Sequence, residues 1–74
     1  MSEREPLVVF VNGARVLVSA GATVLDAVTA ADAEAAAAVR AGTRAVVDSR
    51  GIPVAPDTTV SGGFVMRLIS ARGR

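Results

Sequence analysis

The pair Asn12-Gly13, set between the apolar, β-branched runs Leu7 to Val11 and Ala14 to Ser19, constrains this chain more than any other feature. Both residues tolerate the positive φ that a two-residue type I′ turn demands, so the two runs are expected to fold back on each other as a β-hairpin. With Asn12 and Gly13 as the loop, Val11 faces Ala14, Val9 faces Val16 and Leu7 faces Val18, and these six side chains share the core side of the sheet. The opposite side then carries Val8, Phe10, Arg15 and Leu17, which is more apolar than a surface that meets only water.

Gly21 ends the second strand, and Thr23-Val24-Leu25-Asp26 fits a capping box with aspartate in the place of the usual glutamate or glutamine. Val24, Leu25, Val28 and Ala31 form the apolar stripe of a helix lying on a sheet. Asp32 supplies a second cap, Ala33 to Val39 favours helix by propensity, Arg40 complements the negative end of the dipole, and Gly42 terminates. The pattern reads as two helical segments bent at Asp32, with a single helix from Val24 to Arg40 as the alternative. After Gly42 the period changes to two, Arg44, Val46 and Asp48 alternating against Ala45 and Val47, as a third strand requires.

Asp48-Ser49-Arg50-Gly51 is a turn, and Ile52-Pro53-Val54 is a very short strand whose proline places it at a sheet edge. Pro56-Asp57-Thr58-Thr59 reads as another turn, with Asp57 capping one turn of 3₁₀ helix. Ser61-Gly62-Gly63 then leads tightly into a last strand, Phe64 to Ser70. Arg67 chooses the register of that strand, because charge belongs outside: Phe64, Met66 and Leu68 face the helix while Val65, Arg67 and Ile69 face away. The 74 residues therefore divide into an N-terminal arm (1–6), one domain (7–70) and a flexible tail (71–74).

Composition narrows the function. The chain has no histidine, cysteine or lysine, and so lacks an ordinary general base near neutrality, a thiolate, a soft metal ligand and a Schiff-base amine. An enzyme is not expected, nor a cofactor or a metal. Asp26, Asp32, Glu34, Asp48 and Asp57 are scattered over different elements and read as caps, turn residues or solvated groups. The first residues have no basic stretch ahead of an apolar one, and no run approaches the roughly 20 apolar residues of a bilayer span. A net charge of +1, with no aromatic platform beside the arginines, argues against nucleic acid as a partner.

The order hairpin, helix, strand, short edge strand, long strand resembles the β-grasp of ubiquitin-like proteins. The expected class is α+β, a mixed sheet of four to five strands packed on one face by one or two helical segments. Val11-Asn12-Gly13 through Gly21-Ala22-Thr23-Val24-Leu25-Asp26-Ala27, and Ala45-Val46-Val47-Asp48 through Gly51-Ile52-Pro53-Val54, resemble the bacterial sulfur carriers of thiamin and molybdopterin synthesis. That resemblance implies a cytoplasmic bacterial carrier or protein modifier acting through its C-terminal tail, with an E1-like adenylating enzyme as partner. The family's tail ends in Gly-Gly, whereas this chain ends Ala71-Arg72-Gly73-Arg74, so the carry-over requires a processing protease to remove Arg74 and leave Gly73 terminal. The helix start also resembles plant-type ferredoxin domains, whose cluster needs four cysteines that are absent here.

The residues themselves point to a second function, that of a non-catalytic adaptor or accessory subunit. Val8, Phe10, Leu17, Val65 and Ile69 are expected on adjacent strands of the outward face, rimmed by Arg15 and Arg67, a composition suited to a protein partner or to a homodimer. With no lysine, chains linked through lysine in the ubiquitin manner have no acceptor amine.

Overall fold

A computed structural model of the chain describes residues 6–71. The elements are β1 (Leu7–Val11), β2 (Ala14–Val18), α1 (Val24–Ala31), α2 (Ala33–Ala41), β3 (Arg44–Asp48), β4 (Pro53–Val54) and β5 (Val65–Ser70). Asn12 and Gly13 take φ of 52° and 84°. The hairpin they close pairs Leu7 with Val18, Val9 with Val16 and Val11 with Ala14, the register expected.

Both helices begin as their caps dictate. The Thr23 hydroxyl accepts from the Asp26 amide at 3.1 Å while the Asp26 carboxylate accepts from the Thr23 amide at 3.0 Å. Two more α1 amides that no turn of helix can satisfy find carbonyls in the loop before β5: Val24 donates to Thr58 at 2.8 Å and Leu25 to Pro56 at 2.9 Å. The chain bends at Asp32, whose extended backbone (φ −165°, ψ 105°) ends α1 and whose carboxylate accepts from the Glu34 and Ala35 amides to start α2. There are thus two helices, and Gly42 closes the second in the left-handed region at φ 86°. Two details differ from the sequence pattern. Ala31, the last residue of α1, is exposed at the bend, and Ala27 takes its place under the helix. Pro56 to Thr59 forms no 3₁₀ helix, because Thr58 donates to Ala55 in a simple turn and Thr59 bridges to Thr23.

The five strands form one sheet in the order β2-β1-β5-β3-β4. β5 runs parallel to β1 and antiparallel to β3, so the last strand lies at the centre. This is an α+β, β-grasp architecture: a mixed five-stranded sheet with two helices on one side. Beneath the helices Val9, Val11, Val16, Val18, Met66 and Leu68 meet Val24, Ala27, Val28, Ala35 and Ala36. Phe64, just ahead of β5, packs against the same core half-buried. The sequence-level arm and tail, apart from Pro6 and Ala71, lie outside the described residues. Ala71 donates its amide to the Thr43 carbonyl at 3.0 Å.

Candidate protein-docking face

The alternation that sends Met66 and Leu68 inward sends Val65, Arg67 and Ile69 to the opposite side of the sheet. Across the strands the same side holds Leu17 and Arg15 on β2, Val8 and Phe10 on β1, and Ala45 and Val47 on β3. Parallel pairing sets Phe10 beside Val65, while antiparallel pairing sets Val47 beside Arg67 and Ala45 beside Ile69. All seven residues singled out from the sequence for this face therefore lie on it. Leu17 is 58% exposed, Ile69 43% and Val65 39%, whereas Val8 and Phe10 are half-buried. Among the described residues no helix covers this side.

Two features of the face escaped the sequence pattern. Arg67 is not on the rim: it stands between Val65 and Ile69 on the central strand, with Val47 opposite on β3. Among the described residues only Arg15, on edge strand β2, flanks the apolar surface. Val47 is 2% exposed and yet belongs to this outer side, where the pairing sets it between Arg67 and Pro53. The alternation of β3 did place Val47 opposite Val46. Its burial depends on neighbours from β4 and β5, which are remote in sequence.

A second long-range feature links the hairpin turn to this sheet. β5 continues past the end of β1, so the Leu68 amide has no β1 residue to meet, and the Asn12 side-chain oxygen accepts from it at 3.0 Å. That carboxamide extends the ladder by one rung, holding the stretch of β5 that carries Arg67 and Ile69.

At the end of β3 the Asp48 carboxylate accepts from the Ile52 amide at 3.0 Å, the Arg50 amide at 2.8 Å and the Arg50 guanidinium at 3.1 Å. The Ile52 hydrogen bond first, then those from Arg50, hold the Asp48 carboxyl below the ordinary aspartate value of 3.8. The folded state therefore binds this proton less readily than the unfolded chain. The resulting stabilisation is complete above the unfolded value and is lost as pH falls through the lower folded one. Melting curves of the wild type between about pH 6 and about pH 2 are expected to decline more steeply toward acid than those of Asp48→Asn, since only the former loses this contribution. Parallel declines would show that the turn holds no such linkage.

Among the described residues, depressions indent the surface on either side of the helices. One, of about 450 Å³, runs between the end of β2 and α1 and is lined by Val18, Ala20, Gly21, Ala22, Asp26 and Ala30 among others. The other, about 290 Å³ and mostly apolar, lies between α2, β3 and β4 against Val39, Arg44, Val54 and Pro56. Ser19 and Asp26 share the lining of the first, where the Asp26 carboxylate accepts from the Thr23 amide. Among the described residues no three acids gather as metal ligands would, and no helix is long and apolar enough to cross a membrane. Arg72, Gly73 and Arg74, the tail residues singled out from the sequence, lie outside the described residues. Comparisons of the chain with protein-family models, curated proteins and solved structures find no match.

Proposed function

We propose that this chain is a non-catalytic ubiquitin-like module that docks on a larger protein through the outer face of its sheet. The observation that carries the reading is the exposure of Leu17, Val65 and Ile69 on the face opposite both helices, with Val8 beside Leu17, Phe10 beside Val65 and Arg67 between Val65 and Ile69. An apolar surface with an aromatic and arginines has the composition of interface hot spots, and here rigid strands hold it. Arg67 contributes a long apolar stem and a planar fork that pairs with a carboxylate, so the partner's matching surface is apolar with an acidic residue near its centre.

The test uses a partner recovered with the wild-type chain from its own host and then purified. Ile69→Asp and Val65→Asp alter exposed side chains and are expected to leave the melting temperature within a few degrees of wild type while weakening that complex at least about tenfold. Unchanged affinity in both variants overturns the docking face.

A second reading is favoured by the central position of β5. That strand carries Ile69 on the outer face and ends at Ser70, one residue before Ala71. In this reading the protein is a carrier or modifier, and its tail is trimmed to Gly73 by a protease and activated by an E1-like adenylating enzyme. Deleting residues 72–74 separates the two readings: it abolishes carrier activity and spares the adaptor's complex. The fold and the tail's order of residues support the carrier. The missing second glycine weighs against it, since a residue with a Cβ fits a narrow active-site passage poorly.

A further inference from the structure

The ladder between β3 and β4 is cut short at Arg44. Asp48 donates to Ile52 at 2.9 Å and Val46 stands opposite Val54, so even-numbered residues of β3 turn their backbone toward β4. On the other side Ala71 donates to Thr43 at 3.0 Å, in step with the pairing of Ala45 and Ile69, so odd-numbered residues turn theirs toward β5. One hydrogen-bonded rung beyond Val46 and Val54, the same register sets Arg44 opposite Pro56. Pro56 has no amide hydrogen, and its carbonyl accepts from Leu25 at 2.9 Å. The rung is not made, and the 290 Å³ cavity lined by Arg44, Val54 and Pro56 lies there.

Arg44 is left with two kinds of free donor. Its amide points along the interrupted ladder, and among the described residues no acceptor meets it. Its half-buried side chain rises on the side of the sheet that Val46 and the helices share, and lines the cavity. No ion pair holds it, since the one salt bridge among the described residues joins Arg50 to Asp48.

The rest of the cavity wall is apolar. Val39 on α2 and Val54 on β4 face each other across it, Pro53 and Pro56 flank them, and no carboxylate lines it. Two carbonyls at the end of α2, whose partial negative charge would repel an anion, are already bonded, Ala38 to the Thr43 amide and Val39 to that of Gly42. A cation held against apolar walls without a counter-ion is costly, and an anion entering the cavity relieves that cost.

We propose that this cavity binds a small carboxylic acid with a compact apolar body. The carboxylate accepts from the Arg44 amide and guanidinium, and the body covers Val39 and Val54. Both parts are needed. A phosphate or a bare acetate leaves the valines and prolines wet, and an uncharged apolar molecule leaves the Arg44 donors without an acceptor. The volume is at the small end of ligand pockets, which limits the body to about one ring or a short branched chain. None of the seven residues singled out for the docking face lines this cavity, so the two sites are independent.

The test follows the backbone amide resonances of the isotope-labelled full chain during titration with phenylacetate, 2-phenylethanol and acetate. The first carries both charge and apolar body, the second only the body and the third only the charge. Phenylacetate is expected to move the amides of Arg44, Val39 and Val54 saturably with a Kd of about 1 mM, at least about tenfold tighter than either control. Arg44→Gln removes the charge from a side chain that has no partner in the fold. It should keep the wild-type melting temperature within a few degrees and weaken phenylacetate at least about tenfold. Absence of a saturable shift at these amides overturns the site, as does an unweakened Arg44→Gln. Equal affinity for acetate means ion pairing with an arginine only, equal affinity for 2-phenylethanol means apolar contact only, and either result also overturns it. All of these outcomes leave Ile69→Asp and Val65→Asp to decide the docking face separately.

Discussion

Met66→Ala is expected to lower the melting temperature by at least about 10 °C. Met66 is the largest fully buried side chain. It projects from the central strand into a core whose helical side is built largely from Val24, Ala27, Val28, Ala35 and Ala36. Small residues on the helices allow close approach to the sheet, and the flexible thioether fills the irregular space that remains. Truncation to alanine removes the transfer energy of three heavy atoms and leaves a cavity, together costing about 2–5 kcal/mol. A chain of this size has a total stability of about 4–11 kcal/mol, so the loss is a large share of the whole. Each kcal/mol moves the midpoint by roughly 4–8 °C in a small domain. Met66→Leu, which conserves volume, should cost less than about 1.5 kcal/mol. Thermal unfolding of the two variants side by side is decisive: equal melting temperatures would mean that the residue does not fill the core as described.

Substitutions at Asn12 are expected to rank Asp, Gly, Ala in order of increasing damage, the last costing about 2–4 kcal/mol. The position has two demands, a positive φ of 52° and an oxygen for the Leu68 amide. Asn12→Asp meets both. Asn12→Gly satisfies the backbone but leaves the half-hidden Leu68 amide without its acceptor, which costs about 1–3 kcal/mol. Asn12→Ala fails on both counts, adding about 1–2 kcal/mol for an alanine held in the left-handed region. Chemical denaturation of the three variants checks the order. If Gly and Asp prove equal, the Asn12 oxygen contributes nothing to β5. Because that bond steadies the part of β5 bearing Arg67 and Ile69, Asn12→Gly should also weaken docking more than its loss of stability alone would explain.

The two positions also separate what local pattern reveals from what it hides. Asn12 was legible as a turn residue, since Asn-Gly between two apolar runs has few other uses. Its second role involves a residue 56 positions away and follows only from how far β5 overshoots β1. Met66 was legible as an inward residue once Arg67 had set the register. That it would be the largest fully buried side chain depends on how closely α1 and α2 approach the sheet. The docking face divides similarly. Period-two alternation placed Val8, Phe10, Leu17, Val65 and Ile69 on one side, but the central place of Arg67 and the burial of Val47 on that side required the strand order.

From its sequence alone this chain has a hairpin with a determined register, two capped helices meeting at Asp32, and a last strand whose faces one arginine assigns. Each rests on turn chemistry, capping or alternation among residues close together in the chain, where few conformations compete. Tertiary structure decided which strand lies at the centre, that the loop before β5 satisfies the first amides of α1, and that β2 is left with an open edge. These follow from which surfaces meet when the elements pack, and strands of similar apolar pattern offer several pairings until loop lengths and the shared core select one.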